Sequence, residues 1–346
     1  MDSKENKNLP PIEVVREKLE EYGYTSNAGM MLVDTSHGDD DIRLNYIIEK
    51  KWVMRFTNAP EMTENRLAEL NRLIDRYIDF GLKCPRFIKD KNGIFLHEWN
   101  GMTCYLQEYI NLSTAYGRLN PEQMEEVWLE ILDSVAGFAE KYRNVDLSET
   151  FGMYSLFDLA PYDIALGIDE KQQNFNALCQ ALRGMGEGEL VERLEQKHSE
   201  VRELIKSVHY ELPRCVFQGD ENLSNVLIDE NRHMVGMIDF NMAGTEVIVN
   251  QFANLGGGFK EEVREPIGAQ ARLDYAIESY REYQERMLNI YHATDLEKKA
   301  IKWYEWIALV SGWPQVCFFI DGLKTEKLKN EILGLLGLLA DYQLPE

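Results

Sequence analysis

The sequence is short of cysteine, of basic charge and of long apolar runs, and each shortage removes a class of function. Cys84, Cys104, Cys179, Cys215 and Cys317 lie far apart, are odd in number and form no Cys-x-x-Cys pair. That argues against a disulfide framework or a zinc site, and for reduced, mostly buried thiols. Lys and Arg number 37 against 59 Asp and Glu, a net charge of −22. Such a surface repels phosphate backbones and anionic lipid, so nucleic acid and membranes are not expected partners, whereas a cationic substrate is permitted. Residues 1–11, MDSKENKNLPP, lack the basic start and apolar stretch of a leader. The most apolar late segment, Trp306 to Ile320, is short and carries Pro314 and Gln315. A cytoplasmic, unanchored protein is the expectation.

What is present is an ordinary globular composition, 45% hydrophobic and 28% charged, in a chain of 346 residues, longer than one hydrophobic core usually serves. After a helix-like Ile12–Tyr22, three β-like runs, Met30–Val33, Ile42–Ile48 and Trp52–Phe56, are separated by turn-forming segments at 34–41 and 49–51. They predict an antiparallel meander. From Thr63 to Phe80, Leu67, Leu70, Leu73, Ile74, Tyr77 and Ile78 recur at helical spacing, and Gly81 stands where a C-terminal cap belongs. Pro85–Ile88, Ile94–His97 and Cys104–Ile110 add three short strands, completing a small α+β lobe over 1–110. Beyond it, Pro121–Tyr142, Asn174–Leu182, Leu190–Val208, Arg272–Tyr291 and Asp295–Ser311 read as amphipathic helices of a second, mainly helical lobe over 111–346.

One stretch of that second half is different. Between Cys215 and Phe240, the runs Asn225–Ile228 and Met234–Ile238 flank a turn-forming Asp229–His233. In a hairpin reversing near Arg232, Asn225 and Asp239 are equidistant from the turn and meet at its open end, with Asp220 on the loop that enters it. Three oxygen-bearing side chains then converge, and hard oxygen ligands suit Mg²⁺. A solvated hairpin end in an acidic chain has the same spacing.

Asp220-x-x-x-x-Asn225 followed by a hairpin and Ile238-Asp239-Phe240 resembles the aminoglycoside phosphotransferase and choline kinase family, relatives of the protein kinases. The resemblance implies an α+β, bilobal protein-kinase-like fold, with a small β-rich N-lobe and a larger, mainly helical C-lobe. It implies ATP or GTP as phosphate donor and a small-molecule hydroxyl as acceptor. Asp220 would accept or orient the hydroxyl proton, and Asn225 and Asp239 would hold Mg²⁺ on the phosphates.

On the third strand Arg55 takes the place of the phosphate-contacting Lys. Glu69 of the following helix is the candidate partner for Arg55, with Glu64 as competitor. Gln107-Glu-Tyr-Ile110 resembles the kinase hinge, where backbone groups of Glu108 and Ile110 would bond the nucleobase. Thr35-Ser-His-Gly38 offers Ser36 to the phosphates without the Gly-x-Gly-x-x-Gly of protein kinases.

Gln218 stands where the family usually has His; since Gln both donates and accepts, retained activity is expected. The acceptor pocket is expected between Phe157–Asp169 and the helices after Asn250. Glu221, Glu246, Glu261, Glu262, Asp274 and Glu278, or the rings of Trp303, Trp306 and Trp313, are candidates there to hold a cation. Three readings stay open: an aminoglycoside-type kinase, a kinase for a metabolic alcohol such as choline, a sugar or homoserine, and a catalytically silent nucleotide-binding relative.

Overall fold

A computed structural model describes residues 9–38, 41–145 and 150–344. The first eight residues of the polar start, and Asp39 and Asp40 of the 34–41 turn, lie outside the described residues. The chain packs as two compact units, Met1–Gln123 with Glu221–Asp239, and Met124–Asp220 with Phe240–Glu346.

In the first unit the order is α1 (Ile12–Glu21), β1 (Met30–Asp34), β2 (Arg43–Ile48), β3 (Trp52–Thr57), α2 (Glu64–Asp79), β4 (Phe87–Ile88), β5 (Leu96–Trp99), β6 (Met102–Glu108) and β7 (Ser113–Thr114). The expected meander is there, antiparallel, in a six-stranded sheet ordered β1-β2-β3-β6-β4 with β5 beside β6. Glu49 and Lys50 turn the chain between β2 and β3 with positive φ at both positions, 51° and 52°. That geometry suits the right-handed twist of a hairpin. Thr63 caps α2 by accepting from the Arg66 N–H. Val15 and Leu19 of α1 pack on Leu44, Ile48, Met54 and Phe56, so the sheet's buried face is closed by a helix from before the first strand.

The second unit holds most of α3 (Pro121–Tyr142), then α4 (Glu170–Gly184), α5 (Gly188–Val208) and β8 (Arg214–Phe217). The hairpin strands β9 (Val226–Ile228) and β10 (Met234–Met237) belong to the first unit. After them come β11 (Gly244–Val247), α6 (Ile248–Leu255), α7 (Ala269–Ile290), α8 (Asp295–Ser311), α9 (Trp313–Leu323) and α10 (Lys329–Ala340). Helix α4 starts four residues earlier than its apolar pattern, because Asp169 caps it by accepting from the Gln172 N–H. A full capping box of Thr294 and Glu297 fixes the start of α8. By length and apolarity Asp295–Leu323 could cross a membrane, but 67% of its most apolar window is buried inside the protein. Its Trp306, Ile307, Phe318 and Phe319 are core residues. The architecture is therefore α+β and protein-kinase-like, a small β-rich unit and a larger helical one.

Candidate active site

Strands β9 and β10 pair antiparallel, Met234 opposite Ile228 and Met237 opposite Val226, and β7 extends them to three strands. The reversal is held by Asp229, whose carboxylate accepts from the N–H groups of Asn231 and His233. Arg232 takes the left-handed φ of 73° that a tight turn demands. At the other end the Ile238 N–H donates to the Asn225 carbonyl at 2.9 Å, so Asn225 and Asp239 flank the hairpin's open mouth. Asp239 itself has φ 60°. A non-glycine residue held there costs about 1–3 kcal/mol and marks a position that the surroundings over-determine.

Lys83 does much of that holding. Its N–H donates to Val235 O at 2.9 Å and its carbonyl accepts from Met237 N at 3.0 Å. The fit is so close that a Cβ on Gly236 would stand 2.1 Å from Lys83 O.

Across the sheet of the same unit, Asn45, Arg55 and Tyr105 form one row, each opposite the next. Arg55 Nε donates to Asn45 Oδ1 at 2.6 Å, and its Nη1 lies 3.5 Å from the Tyr105 hydroxyl. Burial pushes that hydroxyl above its usual pKa, Arg55 opposes the rise, and the charge of Asp239 adds to it. Arg55 and Asp239 thus act on one buried group.

On α2 the two competing acids separate. Glu64 accepts from the N–H groups of Phe95 and Leu96 at 2.8 and 2.6 Å, and so is committed to the start of β5. The half-buried Glu69 lies 3.9 Å from Arg72.

Ser36 is fixed at the end of β1: its N–H donates to Asp34 and its Oγ accepts from the Arg43 N–H, both at 2.9 Å. The Ser36 hydroxyl and N–H hold the Asp34 carboxyl below its usual range. At the end of β6, the Glu108 N–H donates to Arg86 O and the Glu108 carboxylate accepts from Arg86 N–H, both at 2.9 Å. Two positions on, the Ile110 N–H has no hydrogen-bond partner among the described residues.

Asp220 belongs to the helical unit, where its N–H donates to the side-chain oxygen of Gln218 at 2.7 Å. Gln218 is fully buried. Between them Gly219 has φ +80°, and a Cβ there would stand 2.5 Å from Met242 O. Only glycine fits that approach. Beneath this turn β8 pairs with β11, placing Cys215 opposite Glu246.

The start of β8 is pinned by a network that no spacing in the sequence suggests. Asp158 Oδ2 meets both His209 Nε2 and Arg214 Nη1 at 3.0 Å, and His209 Nδ1 lies 3.2 Å from the Tyr304 hydroxyl. Burial raises the Asp158 carboxyl, but hydrogen bonds from His209 and Arg214 outweigh it and hold the group below its usual range.

The candidates for holding a cationic acceptor divide sharply. Glu246 is 1% exposed, bonded to Asn250 and to the Val247 N–H, and burial pushes its carboxyl up to about 7. Glu221, Trp303 and Trp306 are buried as well. Glu261 accepts from the Phe259 N–H and lies 3.3 Å from the Gln315 amide, while Glu262, Asp274 and Glu278 are exposed. Trp313 is 60% exposed. On the 157–169 loop, Tyr162 donates to Asn241 O at 3.0 Å, tying the loop to the segment just after Phe240.

Fold and motif together define a kinase-like phosphotransferase. The model of the Phosphotransferase enzyme family matches residues 36–286, more than half of the chain, and the chain belongs to that family. Among solved structures it is similar to an amicoumacin kinase in complex with AMP-PNP and Ca²⁺, with TM-score 0.55 and 9% identity over 95% of this chain and 93% of that one. It is also similar to a spectinomycin phosphotransferase in complex with ADP and spectinomycin, with TM-score 0.49 and 10% identity over 95% and 98% of the two chains. A third is a thermostable aminoglycoside phosphotransferase mutant in ternary complex with ADP and hygromycin B, with TM-score 0.49 and 15% identity over 94% and 96%. At such identities the likeness is one of fold. No curated protein matches the sequence significantly.

Proposed function

We propose that the protein is a small-molecule kinase that moves the terminal phosphoryl group of ATP or GTP to a hydroxyl group. One observation carries the reading: Asp239 is held in a left-handed conformation at the mouth of a hairpin whose other side is Asn225, in the unit that also carries Arg55. Backbone strain kept at a carboxylate beside a second oxygen donor supports a site.

The donor set suits Mg²⁺, which takes few protein oxygens and fills its octahedron with water and phosphate. Among the described residues no group of three or more His, Cys, Asp or Glu forms a metal cage, so the ion would come with the nucleotide. Bound there, Mg²⁺ would neutralise charge on the phosphates.

The protein's own residues then have these roles. Arg55 pairs with phosphate oxygens and Glu69 orients it, since Glu64 is engaged elsewhere. Ser36 lines the phosphate side, and the Glu108 carbonyl and Ile110 N–H face the nucleobase edge. Asp220 takes the proton of the acceptor hydroxyl as its oxygen bonds to phosphorus and the bridging oxygen leaves with the nucleoside diphosphate. Gln218 holds the Asp220 backbone, the work that a neutral His could do by the same acceptor chemistry.

Residues 1–110 form the nucleotide lobe in this reading, and the acceptor binds in 111–346. The name of the similar amicoumacin kinase supports a small-molecule acceptor. The −22 balance favours an ammonium alcohol, with exposed Glu262 and Trp313 as its first contacts, in a cytoplasmic enzyme acting without nucleic acid or membrane. The test is a panel of amino sugars, ammonium alcohols, neutral sugars and amino acid alcohols with Mg-ATP and Mg-GTP. Mg-nucleotide binding with no turnover on any of them would reduce the protein to a binding role.

A further inference from the structure

A cavity of about 230 Å³ lies in the helical unit between α7, α8 and the end of α10, lined by none of the residues given a role in the proposed function. Its walls are Leu273, Leu309 and Leu339 with the rings of Tyr280 and Trp306. Both rings have already placed their donors, Tyr280 on Ala253 O at 3.0 Å and Trp306 on Leu339 O at 3.1 Å, so they offer the cavity apolar surface. Apolar cavities of about 150 Å³ take up benzene, so this space suits a body the size of a fused bicycle.

The polar part of the lining is Arg281, Lys302, Glu305 and Tyr342. Lys302 Nζ donates to Gln284 Oε1 at 2.9 Å and to Glu305 Oε1 at 3.1 Å. Because an ammonium only donates, the Gln284 oxygen must face it, and this turns the amide nitrogen away. That nitrogen is buried with no hydrogen-bond partner among the described residues. Arg281 is engaged only in an exposed pair with Glu278, of a kind that contributes little. Burial pushes Glu305 up to about 7 against the pull of Lys302, so near neutrality it is often a donor too. In a chain of net charge −22, this lining has two cations to one carboxyl.

We propose that this cavity binds a small monocarboxylate with an aromatic or branched aliphatic body, its carboxylate held by Lys302 and Arg281. The body stacks on Trp306 between the leucines. The acceptor-rich end meets the partly exposed Lys302 and the exposed Arg281 in charge-assisted hydrogen bonds, while the body fills the apolar part of the cavity. The site shares no residue with the proposed nucleotide chemistry and stands whether or not the kinase reading does.

The probe is 2-naphthoate, compared by calorimetry with 2-naphthylmethanol and 2-naphthylmethylammonium on the full chain. The carboxylate should bind at least about tenfold more tightly than either analogue. Lys302→Met should weaken naphthoate by about tenfold and leave the alcohol within about twofold. Since removing Lys302 strands Glu305 and can cost folding, Ile277→Trp is the second variant. Ile277 is 39% exposed at the rim and lines the cavity, so an indole there fills the space without disturbing the core. With the melting temperature unchanged, it should abolish binding of all three probes. Saturating Mg-ATP should not displace naphthoate. Preference for the amine or the alcohol, no binding at millimolar probe, binding that survives Ile277→Trp, or displacement by Mg-ATP each overturns the proposal.

Discussion

The segment around Asp220 and the hairpin carrying Asn225 and Asp239 are almost contiguous in sequence, yet they are anchored by different means in different units. Asp220 is set from the helical side, by the buried amide of Gln218 and by a glycine pressed against Met242 O. Asp239 is set from the β side, by the Lys83 bridge under Gly236 and by the bond across the hairpin mouth. The same unit holds Arg55 and Ile110. The difference teaches a division of labour: the residues proposed for metal, phosphate and base recognition share one unit, and the proposed proton acceptor belongs to the other.

The sharpest way to break that division is to remove each carboxylate alone. Asp220→Asn should lower turnover on the best acceptor by on the order of a hundredfold or more, with nucleotide affinity close to wild type, since a base acts mainly in the transition state. Near-normal turnover would mean Asp220 is not the base. Asp239→Ala should do the converse. Nucleotide at about 100 times its Kd stabilises the wild type by about 2.7 kcal/mol, and the Mg²⁺-dependent part of that melting shift should vanish in the variant. An unchanged shift removes the metal from this hairpin.

Smaller effects should follow from the glycines. Gly236→Ala places a methyl against Lys83 O and Gly219→Ala one against Met242 O, neither of which can yield without moving backbone. Each should cost about 1–3 kcal/mol in stability. What sharpens the comparison is the second readout, Mg-nucleotide affinity falling in Gly236→Ala and turnover falling in Gly219→Ala. The same defect in both variants would show the two anchors to be one.

How much of this could be read beforehand depended on whether the signal was local. The meander, α2 with its Thr63 start, and the Asp229 reversal are written in alternation, helical spacing and turn residues within a few positions of where they act. Strand β5 begins two residues later than its apolar run, at Leu96, because Glu64 of α2 captures the Phe95 and Leu96 N–H groups. Strands β7 and β11 were not legible: Ser113–Thr114 and Gly244–Val247 are strands only because β9 and β8 lie beside them. The Asp158–His209–Arg214 network joins two distant stretches, and Tyr304 adds a third; its only trace in the sequence is a His before a strand that opens with Arg. Glu246 shows the limit most plainly, as a candidate surface acid that proves to be interior.

That buried acid supplies the smallest expected effect, and it lies on the Asp220 side alone. Glu246 sits opposite Cys215, in the strand pair that leads to Gln218, and burial lifts its carboxyl from the ordinary 4.5 to about 7, against the bonds from Asn250 and Val247 N–H and the pull of Arg214. Between pH 4.5 and about 7 the folded protein keeps a proton here that the unfolded chain has released. The stabilisation is therefore complete below 4.5 and is lost as the pH rises through 7. Glu246→Gln keeps an oxygen for Asn250 and removes the titration. Denaturant melts of both proteins at pH 5 and pH 8 should show the variant gaining on wild type by on the order of 1 kcal/mol at the higher pH. The difference between the two cancels every other titrating group. No difference between the two pH values would mean that Glu246 is charged in the fold, paired with the buried Lys171, and that the floor beneath Asp220 is ionic.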